Sequence, residues 1–154
     1  GGIEGLGPAR DGEATLEASV GWQTAKLKSV TGRYVCVEAL DAQRGDVFTT
    51  CAELRVLDGA GNEIPVERCS VIYADSEELD GDDGAAVSVL DGKPETFWHT
   101  QWQGGEPKHP HHLVIDLSRE ETVSGVRCLP RQDSPNGRMK SIRVYVSPTR
   151  FGGL

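Results

Sequence analysis

The segment that decides the fold is residues 91–147, which read DGKPETFWHTQWQGGEPKHPHHLVIDLSREETVSGVRCLPRQDSPNGRMKSIRVYVS. Apolar and polar residues alternate at 113–117 and again at 142–146, and this period of two is typical of half-buried strands. The aromatic run at 97–102 predicts another strand, and a further one ends at Leu129. Gly, Pro, Asn and Asp separate these runs, which predicts antiparallel pairing through turns.

Composition supports an all-β chain and restricts its partners. The 154 residues suit one domain with a real core, and 19 glycines with almost no helical periodicity favour many turns. Sixteen Lys and Arg against 24 Asp and Glu give a formal charge of −8, with no basic stripe. This acidic balance disfavours nucleic acid as a partner and argues against anionic membranes. Because no apolar run approaches the length of a span, membrane insertion is not expected.

The first half of the chain also contains strand patterns. Residues 1–13 are rich in glycine and predict a flexible terminus, followed by one β-sandwich domain over 14–154. A helical turn is expected at 85–90, after an acidic loop at 76–84. The remaining patterns predict strands at 22–27, 33–40, 51–57 and 71–74.

Several ordered motifs resemble those of one family. They are DG-x-P-x-TFWHT-x-W, PHH-x-x-IDL, VSG and LPRQ-x-x-x-NGR, beginning at Asp91, Pro110, Val123 and Leu129. The series resembles the discoidin, or coagulation-factor type C, family, in its branch of galactose-binding-like carbohydrate-binding modules of secreted glycosidases and galactose oxidase. The resemblance implies an antiparallel jelly-roll β-sandwich that binds sugar without catalysis. It also implies an extracellular or cell-surface location within a larger multidomain protein.

The two halves of the chain stand in an unusual order. Residues 14–62, with GRYVCVEAL and AELRVL, resemble the C-terminal strands of the family, whereas 63–154 resemble its N-terminal part. A circular permutant would explain this order, and so would a piece cut from a tandem array. We favour a permuted single domain, because the halves together supply about eight strands of a jelly roll and each alone leaves unpaired edges.

The resemblance also implies a sugar site. It assigns contacts with galactose-type sugars to His99, Arg131 and one of Glu77 and Glu78. Trp102 offers a flat face for the sugar ring, and Asn136 offers an amide in the loop after Arg131. The alternative is that these motifs only maintain the scaffold.

A structural calcium site is the second implication of the resemblance. A hard cation takes six to eight oxygen ligands. The family pattern assigns these to side chains or carbonyls of Asp91, Thr96, Glu53, Ser88, Lys93 and Ala52. The ammonium of Lys93 would weaken the site, and Asp91 with its following glycine is alternatively an ordinary turn.

The cysteines and histidines leave alternatives open. Four cysteines allow three pairings, of which Cys36–Cys51 and Cys69–Cys128 would link neighbouring strands, and buried free thiols are the alternative. The resemblance favours disulfides because it implies secretion. His109, His111 and His112 are assigned to packing rather than to a metal, since the spacing fits no zinc pattern.

The leading functional hypothesis is therefore a carbohydrate-binding module for glycans ending in galactose or N-acetylgalactosamine, which anchors a larger secreted protein. The alternative is a structural or protein-interaction module of the same fold. An enzyme is disfavoured, because the carboxylates of the acidic loop at 76–84 are typical of a solvated loop and no catalytic motif is present.

Overall fold

The computed structural model describes Ile3, Leu6 and residues 11–153, and its regular structure there is almost entirely β. The strands are β1 (Gly12–Thr15), β2 (Gln23–Ala39), β3 (Thr50–Cys51), β4 (Glu53–Asp58), β5 (Ser70–Ala74), β6 (Trp98–His99), β7 (His111–Leu129) and β8 (Ser141–Ser147). Short 3₁₀ helices occur at Val66–Arg68, Ala86–Leu90 and Phe151–Gly153. The second of these is the helical turn that the sequence predicts.

Two long strands, β2 and β7, organise an antiparallel sheet in the order β1-β8-β2-β7-β4, with β5 also paired to β7. Residues 34–39 of β2 pair with 111–116 of β7, and residues 23–26 pair with 125–128. The first half of β7 thus lies between β2 and β5, and its second half lies between β2 and β4. Both strands therefore run through both layers of a β-sandwich, which confirms the predicted fold class.

The core fills the space between the two layers. Inward side chains alternate along each strand, as a period of two requires. The buried set includes Val35 and Val37 of β2, Leu54 and Val56 of β4, Leu113, Ile115 and Val126 of β7, and Ile142 and Val144 of β8. Because β2 and β4 contribute beside β7 and β8, the two parts of the chain share one core. The expected pairing of the early strands with residues 113–147 is present.

The long strands correct the predicted boundaries. The sequence predicts separate strands at 22–27 and 33–40, but the structure joins them in β2, with register shifts between Lys26 and Val30 and between Gly32 and Tyr34. A Cβ at Gly32 would lie 2.6 Å from Val146 Cγ1 and 2.9 Å from the Ser147 backbone, so only glycine fits this crossing. Exposed polar residues around these irregularities interrupt the alternation of apolar and polar residues. The sequence pattern therefore does not show that β2 is one continuous strand.

Two further expectations differ from the structure. The predicted flexible terminus over 1–13 lies largely outside the described residues, but its last part, Gly12 and Glu13, is in β1 and pairs with β8. All four cysteines are free thiols. Cys36 belongs to a cluster with Tyr34 and Tyr145, whereas Cys51 belongs to the main core, so the two thiols lie in separate apolar clusters.

The second predicted cysteine pair, Cys69 with Cys128, is divided between the two layers. Cys69 precedes β5, which pairs with the first half of β7, whereas Cys128 lies in its second half. The Sγ of Cys69 lies 3.5 Å from the Pro65 carbonyl. Throughout the described part of the chain, the structure contains no helix with the length and hydropathy that a membrane span requires.

Candidate functional site

A shallow surface pocket of about 360 Å³ lies where β6 and the end of β7 meet their following loops. Its lining consists of Phe48, Asp82, His99, Trp102, Glu106, Arg131 and Asn136. The structure therefore brings together four of the six residues that the sequence predicts for sugar contact. This size is within the range of small-molecule sites.

His99 presents one ring nitrogen to this pocket. Its backbone pairs with Thr50 across β6 and β3, and the residue is only 4% exposed. Its Nδ1 lies 2.6 Å from the Thr100 carbonyl, which can only accept, so Nδ1 carries the proton. The ring packs against Phe48, with centroids 5.2 Å apart. Nε2 has no hydrogen-bond partner among the described residues and is left as an acceptor at the pocket wall.

Arg131 is held as a flat donor at the opposite side of the pocket. Its guanidinium lies 4.1 Å from the centre of the Phe97 ring, a cation–π contact. Its Nε donates to Asp133 at 2.7 Å, and this hydrogen bond lowers the pKa of the Asp133 carboxyl. With that edge engaged, the guanidinium keeps its other edge for a ligand.

The predicted contact Glu78 lies beneath the pocket rather than in its lining. The residue is 1% exposed, and its carboxylate accepts four backbone N–H groups, from Gln103, Gly81, Trp102 and Asp80, at 2.7–3.0 Å. The hydrogen bonds from Gln103, Gly81 and Trp102 lead in lowering the pKa of Glu78 to about 2. No lone pair is left for sugar, so the residue positions Trp102, which is 38% exposed.

Glu77 points to a different surface. Its Oε1 accepts the Ala86 N–H at 2.8 Å, and the residue lines a separate pocket with Val87 and β5. The carboxylates that do line the pocket, Asp82 and Glu106, are absent from the sequence prediction. Asp82 belongs to the predicted acidic loop, but Glu106 lies in a Gly-rich stretch without a signal.

The predicted calcium residues converge at the start of β4. Asp91 accepts the Thr96 hydroxyl at 2.5 Å and the Lys93 N–H at 2.8 Å. Although burial raises the pKa of Asp91, these hydrogen bonds bring it below its ordinary value. Glu53 accepts the Gly92 N–H at 3.1 Å and the Arg55 guanidinium at 2.5 Å. The turn and β4 thus meet through two carboxylates.

The chemistry of these atoms fits a hard cation. Burial, and next the neighbouring Asp91 carboxylate, raise the pKa of Glu53 to about 7. Glu53 Oε2 is buried without a partner among the described residues. The described residues contain no group of three His, Cys, Asp or Glu arranged for a metal, so the predicted hydroxyl and carbonyls of Thr96, Ser88, Lys93 and Ala52 would supply the other oxygens.

The histidine cluster packs as the sequence predicts. His111 bridges Asp75 and the Val47 carbonyl at 2.9 and 2.8 Å. His112 contacts Glu38 at 2.7 Å, and His109 contacts the Thr49 hydroxyl at 3.1 Å. These rings connect β7 to neighbouring elements through ordinary hydrogen bonds.

An antiparallel sandwich with an aromatic and polar pocket beyond its strand ends defines a β-sandwich binding domain. Residues 72–150, just over half of the chain, match the F5/8 type C domain. The chain belongs to this family, as the sequence motifs indicate.

The curated relatives include three named enzymes. A sialidase of Micromonospora viridifaciens is 34% identical over 151 residues, which are 96% of this chain and 21% of that protein. A galactose oxidase of Gibberella zeae is 43% identical over 61 residues, which are 38% of this chain and 9% of the oxidase. A lacto-N-biosidase of Bifidobacterium bifidum is 32% identical over 75 residues, which are 47% of this chain and 7% of that protein. The chain spans about a fifth or less of the length of these relatives.

Proposed function

We propose that this domain is a non-catalytic carbohydrate-binding module that recognises galactose or N-acetylgalactosamine at the ends of glycans. The observation that carries the proposal is the convergence of His99, Trp102, Arg131 and Asn136 on one pocket. A sugar presents a C–H face and a ring of hydroxyls. Trp102 is suited to the first, and the other three residues supply an acceptor, a planar donor and an amide for the second.

The setting proposed for this activity is extracellular. The matched relatives are named as enzymes of sugars, and this chain corresponds to a small part of each. We infer that the domain holds a larger secreted or cell-surface protein on a glycan. One shallow site binds weakly, so attachment would depend on several sites acting together.

Arg131→Ala is the test of the sugar site. Loss of a charge-assisted hydrogen bond costs about 1.5–3 kcal/mol, and a millimolar site has only about 4 kcal/mol in total. We expect the affinity for galactose, N-acetylgalactosamine and lactose to fall at least about tenfold in an NMR titration. The matched control is Arg119→Ala, which removes an exposed arginine paired with Glu121 in β7.

Binding that survives Arg131→Ala with unchanged affinity would contradict this site. If the wild type binds none of these sugars and no other glycan on an array, the carbohydrate proposal fails. A protein-interaction role for the same fold would then replace it.

We also propose that Ca²⁺ binds between Asp91 and Glu53 and stabilises the fold. Two adjacent carboxyl groups and the orphaned Glu53 Oε2 support this, because a divalent cation would favour the charged form of Glu53 and supply the missing contact. The cation would connect β4 to the turn after Ala86–Leu90, and thus the two halves of the chain.

Asp91→Asn tests the cation with little change in shape. Ligand at about a hundred times its Kd adds about 2.7 kcal/mol, so we expect Ca²⁺ to raise the wild-type Tm by about 5–10 °C over its value in chelator. The rise should be lost in Asp91→Asn. It should persist in Asp58→Asn, because Asp58 also caps a turn, through Ala60 and Asn62, away from Glu53. A wild-type Tm that is the same in Ca²⁺ and in chelator would contradict the proposal.

A further inference from the structure

The rim of the pocket carries an uneven charge. Within the described residues, neither Asp82 nor Glu106 forms an ion pair with a cationic side chain, and both are exposed. The cation in the lining, Arg131, is already paired with Asp133 at 2.7 Å. A ligand therefore meets two uncompensated carboxylates beside a guanidinium that is largely neutralised.

Asp82 is held in place by the loop that contains it. Glu78 accepts the N–H groups of Asp80 and Gly81 with one oxygen and those of Trp102 and Gln103 with the other. A Cβ at Gly81 would lie 2.5 Å from Trp102 Cη2, so the backbone packs directly on the indole edge. These contacts fix the backbone just before Asp82 beside the indole of Trp102, and the exposed Asp82 carboxylate accepts the Asp83 N–H at 3.1 Å.

His99 offers a further polar group to a ligand in the same pocket as these carboxylates. His99 is only 4% exposed. Its Nε2, at the pocket wall, has no hydrogen-bond partner among the described residues. Nε2 is not among the buried side-chain atoms without a partner in the described residues, so solvent reaches it, and a ligand hydroxyl or a water molecule can bind it there. Ligand hydroxyls bound at Nε2 would lie in the field of both carboxylates.

Resting on the proposed sugar-binding function, we propose that Asp82 and Glu106 are specificity-determining residues that set the charge class of the sugar. They favour a hexose carrying a protonated amine over a neutral one, and a neutral one over a hexose carrying a carboxylate. Each exposed charge contact changes affinity by about two- to fivefold, and salt weakens it.

The experiment compares four monosaccharides of one configuration. Galactosamine, galactose, N-acetylgalactosamine and galacturonate are titrated into the whole chain by NMR at pH 6 and low salt. N-acetylgalactosamine is the matched ligand control, because it keeps the nitrogen at the same carbon without the charge. We expect galactosamine to bind about two- to tenfold tighter than galactose, and galacturonate to bind weaker by a similar factor.

The variants Asp82→Asn and Glu106→Gln should each reduce this spread, taken as the affinity for each charged sugar relative to galactose, by about two- to fivefold. Glu120→Gln is the control for overall charge, since Glu120 is exposed in β7 far along the chain from the pocket lining. It should leave the spread as it is in the wild type. Salt at about 0.5 M should narrow the spread in the wild type.

The outcomes separate the two proposals. If galactose binds but the four sugars bind alike, or if Glu120→Gln acts as strongly as the pocket variants, the charge selectivity is overturned and sugar binding stands. If galacturonate binds tightest, the proposed order of charge preference is wrong, and the charge selectivity is again overturned. If none of the four binds and no glycan binds on an array, the proposed function itself fails.

Discussion

The role of Glu78 in the structure differs from the sugar contact that the sequence predicts. The sequence places it among acidic residues and assigns it to a sugar, but the structure surrounds its carboxylate with four backbone donors. These donors belong to two separate loops, and without the carboxylate they would stay unpaired in a buried place. The energetic role of Glu78 is therefore to join the loop of Asp82 to the loop of Trp102.

The depressed pKa of Glu78 predicts acid sensitivity. A carboxyl whose pKa is lowered on folding, here from 4.5 to about 2, stabilises the fold above its unfolded pKa, and this contribution is lost as the pH falls through that interval. We expect Glu78→Gln to lower the free energy of unfolding at pH 7 and to flatten its decline between about pH 4.5 and 2. Urea unfolding across this range measures both effects.

The control for this prediction is Glu95→Gln, an exposed glutamate in the turn before β6. Its decline in acid should match the wild type. If Glu78→Gln declines as steeply as the wild type, the carboxylate is not the acid-sensitive link.

Residue chemistry could be predicted where a motif fixes a side chain close to a strand. His99 ends β6, and Arg131 comes two residues after the end of β7. Their position at the same end of the sandwich therefore follows from the strand pattern and the family resemblance. Asp82 and Glu106 could not be predicted in this way, because they reach the pocket through loops. Loop paths depend on contacts such as those of Gly81 with Trp102, which no periodicity in the sequence encodes.

At the scale of elements, the sequence predicts the interior of strands better than their ends. The run at 97–102 suggests a six-residue strand, but only Trp98 and His99 pair, with Cys51 and Thr50. After them, Thr100 uses its hydroxyl to accept the Thr49 N–H, and the chain turns away from the sheet. A side-chain oxygen thus replaces a backbone carbonyl as the acceptor where this ladder ends.

The crossing of β2 over the end of β8 provides the prediction for this scale. Gly32→Ala would place a methyl group against Val146 and within 2.9 Å of the Ser147 backbone, which cannot move without disturbing the ladder. We expect a loss of about 1–3 kcal/mol in the free energy of unfolding, as overpacking usually costs. Urea denaturation measures it, and Thr31→Ala at the adjacent exposed position should cost under about 1 kcal/mol. Equal effects of the two changes would show that the close approach is unimportant.

At the scale of the molecule, the two parts of the chain depend on one another. Strands β2 and β4 belong to residues 14–62, whereas β5, β7 and β8 belong to 63–154. Each part alone would expose strand edges and half of the core. We predict that fragments 11–62 and 63–153, expressed separately, lack cooperative thermal unfolding and dispersed amide NMR spectra. A cooperative fold from either fragment would contradict a shared core.

The pairing of the early strands with later ones could be expected from the sequence, because residues such as Tyr34 and Leu54 lie in strand patterns that need partners. The continuity of β2 (Gln23–Ala39) and of β7 (His111–Leu129) could not be predicted from the sequence, because irregularities in each strand interrupt the alternation. Ser118 in β7 adopts a positive φ of 73° and interrupts the alternation there, although the strand continues.

The passage of β2 and β7 through both layers has a consequence for thermal breathing. In a sandwich of two independent sheets, one sheet could slide over the other while its own ladder stayed intact. Here residues 23–26 and 34–39 of one strand pair with opposite ends of one partner, so movement of either layer strains the same two backbones. Amide protons in both layers should therefore become accessible to solvent together, in a single opening event, and the pocket at the end of β7 should stay rigid until the whole molecule opens.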